Sequence, residues 1–501
     1  MKKTLLSLSL LLTSLLLSCD KNEEEFFVNE DAATFVEIGS IDIGDVGAAE
    51  ISAYDPQTKR LFVVNNGTVN KIDVIDFADP TNMKVIGSIS MTPYGGAVNS
   101  VAVSNGKVAA AIEASDKQAN GKVAVFNTSD YKEVKVVTVG ALPDMITYSP
   151  DGNLILTANE GEPNATYTND PVGSISIIAV NNNYAVTTID FAGFASQQTA
   201  LMAKGLRIFG LNATFAKDIE PEYIAVSDDS KTAWVTLQEN NAIAKLNLET
   251  KTITSILPLG FKDYDVDGNT VDISDRDNAV ALSKWKVKGM YQPDAIAFIQ
   301  HAGIPYLFTA NEGDAREYDA FAEIKRVSAL KLDATAFPNA TDLIKAEKAG
   351  RLNVTTTLGD TDGDGDYDFL YSLGARSFSV WNGNDGALVF DSKNELDTKV
   401  IAASLYDDTR SDDKSIEPEG ITIGTVGNKK VAFVGMERVD AVAVYDVTIP
   451  TNPVFLQILK CGDAPEGVLF IPAKNSPTQK SLLVVSSEND GVIKVYKPNT
   501  L

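Results

Sequence analysis

Histidine is nearly missing from this chain: His301 is the only one in 501 residues. It stands in Ile299-Gln-His-Ala-Gly-Ile-Pro305, which reads as a hairpin turn between two strands. A Ser-His-Asp or Cys-His mechanism needs an imidazole beside its nucleophile, so histidine-based catalysis is not expected. Cysteine is almost as scarce, with only Cys19 and Cys461. That excludes a zinc site built from several cysteines. Long apolar runs are confined to Leu5–Leu17, shorter than the roughly 20 residues a membrane-spanning helix needs. A Walker-type lysine loop, a dinucleotide fingerprint and Gly-x-Ser-x-Gly are all missing. Positive charge is in deficit, with 43 Lys and Arg against 68 Asp and Glu, a formal charge of −25. Such a field repels nucleic acid and anionic headgroups and favours cations. Helical periodicity is also rare, and its best stretch is Asp342–Arg351.

At the N-terminus Lys2 and Lys3 precede the leucine run, and Ser18-Cys19 follow it, the layout of a signal peptide. Leu16-Leu17-Ser18-Cys19 resembles the bacterial lipobox, which implies cleavage before Cys19 and lipid on its sulfur and amine. An ordinary secretory peptide is the alternative. Residues 1–18 would then be signal and 19–33 an acidic tether, opening on the polar stretch Asp20–Glu25. Acid directly after the lipidated cysteine resembles a lipoprotein surface-export signal of some Gram-negative bacteria. This implies an outer-membrane lipoprotein exposed at the cell surface. Its membrane partner would be the lipid on Cys19, with no transmembrane helix, and acylation would leave Cys461 without a disulfide partner.

What the chain has in abundance is a repeated acid. Short strand-like runs open on Glu50, Asp144, Glu222, Asp294, Glu419 and Glu466, five of them directly behind proline, and Asn99 holds the same place in Val98-Asn99-Ser100. Where successive starts are uninterrupted they lie about 45–50 residues apart, the length of a four-stranded propeller blade. One interval shows the period of half-buried strands: Val101–Val103, Val108–Ile112, Val123–Phe126 and Val134–Val137, separated by turn residues. The expected fold is all-β, a single β-propeller over residues 34–501, with insertions near 191–217, 261–289 and 334–352. An irregular unit over Phe369–Leu373, Ser377–Trp381 and Ala387–Asp391 brings the starts to eight, so eight blades are expected, with seven if that unit merges with its neighbour. The last unit is one strand short, and Thr34–Ile41 has no unit of its own. Pairing the two would close the ring and remove a free edge.

In a propeller the lead into each innermost strand and the loop after each second strand share one face. That face would gather the strand-opening acids with a second ring of Glu113, Glu160, Glu239, Glu312, Glu437 and Glu488. Two segments of this ring are near copies, Thr157-Ala-Asn-Glu-Gly-Glu162 and Thr309-Ala-Asn-Glu-Gly-Asp314. Concentric like charges call for raised pKa values, basic partners or bound divalent cations. Arg316, Arg376, Arg410 and Arg438 lie near these ends in sequence. Oxygen-only ligation points to Ca2+ or another hard divalent cation, not zinc or copper. The expected metal ligands are Glu222, Asp294, Glu312, Glu419 and Glu466, with Arg316, Arg376, Glu160 and Glu437 facing a ligand. The plainer alternative is that each acid only orders its own turn. Separately, Asp360, Asp362, Asp364, Asp366 and Asp368 match most of an EF-hand calcium loop, with Gly365 at position 6. Tyr371 stands where that loop wants glutamate, and no flanking helices are evident. Asp263, Asp265 and Asp267 repeat the opening of the pattern more weakly.

Several of these stretches together resemble the bacterial choice-of-anchor I proteins, themselves similar to mesenchyme-specific cell-surface glycoproteins. The matching residues are Ala158–Glu162, Lys217–Glu222, Gln292–Ala295, Ala310–Glu317, Asp360–Asp368 with Tyr371–Phe378, Arg410–Lys414 and Glu417–Gly420. The resemblance implies a secreted or surface-anchored β-propeller; eukaryotic relatives are linked to calcium carbonate deposition, and some bacterial relatives carry an alkaline phosphatase label. Two functions stay open. One is a calcium-binding interaction module for a phosphate-containing, mineral or polysaccharide ligand. The other is a calcium-dependent phosphoesterase whose catalytic residues the sequence does not assign.

Overall fold

The computed structural model describes residues 26–501. The expected signal peptide, Cys19 and the start of the expected tether lie outside the described residues. Among the described residues the chain forms seven four-stranded antiparallel sheets. Their innermost strands are Ser52–Asp55, Val98–Ser104, Pro143–Tyr148, Ile224–Val226, Ile296–His301, Pro418–Val426 and Pro465–Ile471. Each packs against the next, and the last returns to the first, so the sheets are blades around a central axis.

Blade 2 shows why these sequences form such sheets. Its second strand, Lys107–Ile112, buries both faces. Val108, Ala110 and Ile112 join Phe62, Val64 and Val74 of blade 1. Ala109 and Ala111 point the other way, into Ile146, Ile155 and Ile178 of blade 3. A strand buried on both sides reads as a continuous apolar run, and small alanines let neighbouring blades approach closely.

Eight blades is corrected to seven. Ser377–Asn382 pairs with Ile304–Asn311, and Leu388–Asp391 pairs with Ser377–Asn382. The irregular unit therefore supplies the third and fourth strands of blade 5, whose second strand ends at Asn311. A long insertion had separated strands that belong together. Phe369–Leu373 is not a blade strand: Tyr371–Ser372 lies parallel to Lys288–Met290, which pairs with Phe261–Asp263 in a three-stranded sheet. Segments from two insertions share a satellite core around Tyr264, Ile273, Phe337, Leu352 and Leu370. The third insertion lays Phe191, Leu201 and Phe215 on the core of blades 3 and 4. In place of a helix over Asp342–Arg351 there is only Ala340–Leu343, and the longest described helix is Glu395–Ala402.

The N-terminal strand begins at Glu30, ahead of the expected Thr34, and runs to Asp42. It pairs antiparallel with Val492–Thr500 and supplies the fourth strand of blade 7. Phe35 is buried edge-on against Phe433 at 5.2 Å. The Gln457 side chain donates to the Phe35 carbonyl and accepts from its N–H, both at 2.9 Å. Gln457→Ala removes both bonds, and the expected cost is about 1–2 kcal/mol. It should appear as faster amide exchange across Glu30–Asp42, with the other blades unchanged. Among the described residues no helix is long and apolar enough to cross a membrane.

Candidate cation site at the central mouth

The acids that open the innermost strands are held by strained backbone. Leu142, Gln292, Glu417 and Ala464 each precede Pro-Asp or Pro-Glu, and their φ values are 47°, 41°, 47° and 57°. A left-handed non-glycine residue costs on the order of 1–3 kcal/mol, and the following proline disfavours it further. Four blades repeat this kink, which delivers Asp144, Asp294, Glu419 and Glu466 to a shared cavity of about 380 Å3 at the mouth of the axis. Glu222 reaches the same cavity from blade 4, and Met145, Tyr223, Ile421 and Val468 also line it.

Within and beside the mouth the carboxylates form three groups, each with one oxygen per residue within 4.8 Å of the others: Asp144–Glu160–Glu222, Asp294–Glu312–Glu419 and Glu312–Glu417–Glu437. Glu160 and Glu312, from the two near-copied segments, sit in equivalent places after second strands.

The groups differ in what neutralises them. Among the described residues no hydrogen-bond donor or ion-pair partner reaches the carboxylates of Asp144, Glu160 or Glu222. The nearby Lys117 is paired with Glu113 at 3.4 Å instead. Burial, then the charge of Glu162, pushes Asp144 up to about 7. Burial, then Asp144, holds Glu160 well above the usual carboxylate range. Burial, then Glu160 and Glu239, does the same to Glu222. Glu239 is itself only 8% exposed, and its Oε2 has no partner. Burial and then Asp314 push it up to about 8.

On the other side of the mouth Glu312, Glu417 and Glu437 are paired, while among the described residues no donor reaches Asp294 or Glu419, whose Oε2 is buried without a partner. Lys414 Nζ lies 2.7 Å from Glu312 Oε1 and 3.2 Å from Glu417 Oε2. Gln238 Nε2 donates to the other Glu312 oxygen at 2.9 Å. Arg410 reaches Glu417 at 2.5 Å, and Arg438 reaches Glu437 at 2.7 Å and Glu417 at 3.3 Å. Glu437 still rises to about 7, chiefly by burial. Asp294 and Glu419 are raised by burial and then by Glu312. Glu466 lines the cavity beside Glu50 and Glu488 and outside the three groups; burial and then Glu50 raise it.

Two arginines expected at the ligand are elsewhere. Arg316 is 2% exposed beneath the surface, with Nη1 2.7 Å from Asp218 Oδ1 and Nη2 2.9 Å from Glu220 Oε2, and stacks 4.4 Å over Phe209. Its charge is used up internally, which corrects the ligand-facing role. Arg376 is equally buried and donates to the carbonyls of Asp272, Ser411 (2.9 Å) and Asp413 (2.7 Å). It pins a loop and does not face a ligand. Lys414, on that loop, was missed; its signal was its place three residues before Glu417-Pro-Glu.

The aspartate loop splits in two. Asp360, Asp362 and Asp364 form one exposed group, while Asp366 and Asp368 join Asp333. Asp360 accepts from the N–H groups of Gly363 at 2.7 Å and Gly365 at 3.0 Å. Lys331 pairs with Asp366 at 2.9 Å, and Thr361 N–H donates to Asp368 at 2.9 Å. Asp263, Asp265 and Asp267 are exposed, and Asp267 pairs with Lys284.

Fold and mouth together define a seven-bladed β-propeller with a carboxylate-lined central cavity. The chain belongs to the choice-of-anchor I family, whose domain matches residues 50–450. It is similar to gigasin-3a of Magallana gigas, 26% identical over 181 residues, 29% of this chain and 63% of that one. It is also similar to the mesenchyme-specific cell surface glycoprotein of Strongylocentrotus purpuratus, 24% identical over 305 residues, 51% of this chain and 39% of that one. The chain thus spans less than two thirds of the length of either relative. Among solved structures, hydrazine synthase of Kuenenia stuttgartiensis superposes with a TM-score of 0.50 at 12% identity, covering 91% of this chain and 97% of that one. That likeness concerns the fold alone.

Proposed function

We propose that this protein is a cell-surface interaction module, lipid-anchored through Cys19, that captures its ligand through a hard divalent cation held by Asp144, Glu160 and Glu222. The observation that carries this reading is the triad itself: three carboxylates within 4.8 Å, with no hydrogen-bond donor or ion pair from the described protein, Lys117 acting on Asp144 only through space. Like charges so placed in a partly desolvated cavity need a proton or a cation, and all-oxygen ligation suits calcium or magnesium. A cation held from one side keeps coordination positions open toward the cavity. Those positions suit an oxygen-rich ligand such as a phosphate-bearing molecule, a mineral surface or a polysaccharide. The cell-surface location in the sea-urchin relative's name fits the same role.

The test is calorimetric titration of the chelator-treated chain with calcium and with magnesium, followed by melting in each. Binding at 100-fold excess over Kd stabilises by about 2.7 kcal/mol. No heat of binding and no rise in Tm would overturn the reading. Calcium-dependent turnover of a phosphomonoester would replace it with the phosphoesterase.

A further inference from the structure

We infer that Lys414 is the resident cation at Glu312, the carboxylate shared by the second and third groups, so that the mouth takes one divalent ion, at Asp144–Glu160–Glu222, and not two. This rests on the reading of that triad as a cation site, and adds what fills its counterpart across the cavity.

The two halves of the mouth are built alike. Glu160 and Glu312 follow second strands in near-identical segments, and each meets an acid from its own blade and one from the next. In the first half no described donor or ion pair reaches the three carboxylates, and Lys117, paired with Glu113, acts on Asp144 only through space. In the second half Lys414 Nζ lies against Glu312 and Glu417, with Asp314 at 4.0 Å. Its side chain is only 13% exposed. Glu312 is common to the second and third groups, and Lys414 and Gln238 take both of its oxygens. An incoming ion would have to displace those bonds and lie beside a half-buried ammonium of like charge. The ammonium is also firmly placed. Arg376 donates to the carbonyls of Ser411 and Asp413, just before it. Ser415 and Glu417, just after it, are left-handed at φ 63° and 47°. A loop tied down this way presents Lys414 at a fixed point. With Lys414 in place the mouth is a one-ion binding site.

The experiment counts calcium by equilibrium dialysis on the full chain. The parent carries Asp360→Asn, Asp362→Asn, Asp364→Asn, Asp366→Asn and Asp368→Asn, which silence the separate loop. The parent and Lys414→Arg are each expected to bind one ion per chain, and Lys414→Met two. Two ions with Lys414 intact would overturn the inference. So would a folded Lys414→Met that gains none. No ion in the parent but one in Lys414→Met would sink the Asp144–Glu160–Glu222 site while leaving the role of Lys414 standing. Should Lys414→Met fail to fold, electron paramagnetic resonance of the manganese-loaded parent decides. Loss of the free-ion signal is expected to saturate at one manganese per chain, and saturation at two would overturn the inference.

Discussion

Asp144→Asn together with Glu222→Gln should weaken calcium binding at the central mouth on the order of 1,000-fold, because ligand charge sets calcium affinity. Both substitutions keep side-chain shape and remove a negative oxygen from a three-carboxylate group. The same Asp144→Asn, Glu222→Gln chain should melt higher than the parent in chelator at pH 8. Without metal these two carboxylates are half-buried against each other and against Glu160, with no ion pair, so neutralising them relieves desolvation and repulsion together. Titration calorimetry and scanning calorimetry check the two halves. A double variant that loses less than tenfold in affinity would move the site elsewhere. Asp294→Asn with Glu419→Gln is the matched control, expected to change calcium affinity by less than about tenfold, since the Glu312 that completes their group is already bonded to Lys414 and Gln238.

The repeat was legible because it is a backbone requirement written in residue types. Proline followed by acid marks the kink into Pro143, Pro293, Pro418 and Pro465, and the two Ala-Asn-Glu-Gly segments mark second-strand ends. From these alone, Asp144, Glu160, Glu222, Asp294, Glu312 and Glu419 could be placed on one face. The blade count was less legible, since the insertion after Asn311 delays Ser377–Asn382 until it looks like a new unit. Arginine roles were hidden for a different reason. Arg316 finds Asp218 and Glu220 about a hundred residues upstream, and Arg376 bonds to carbonyls, which carry no sequence signature. Which acids are paired was therefore beyond the pattern. The asymmetry between the two halves depends on one lysine from a loop outside the repeat.

Melting the metal-free chain across pH should reveal the unpaired acids directly. Folding raises Asp144 to about 7 from 3.8, and Glu50 and Glu239 to about 8 from 4.5, each chiefly through burial. A carboxyl with a raised folded pKa binds its proton more tightly folded than unfolded. Between pH 4 and 8 the folded chain then holds more protons, and the stability this linkage provides is lost progressively as pH rises through that window. Exposed acids such as Asp229 and Asp368 are shifted the other way by local hydrogen bonds, so their contribution is lost only below about pH 4. The Tm in chelator should accordingly peak near pH 5 and fall toward pH 8, by an amount on the order of several kcal/mol of stability. Calcium should restore most of it at pH 8 and little at pH 5, because ion and proton compete for the same oxygens. Binding near pH 6.5 should then release protons, seen as a heat that changes with the buffer's ionisation enthalpy. A chelated Tm that stays level or climbs from pH 5 to 8 would mean the mouth acids are already neutralised by the protein. The triad would then have no need of a cation.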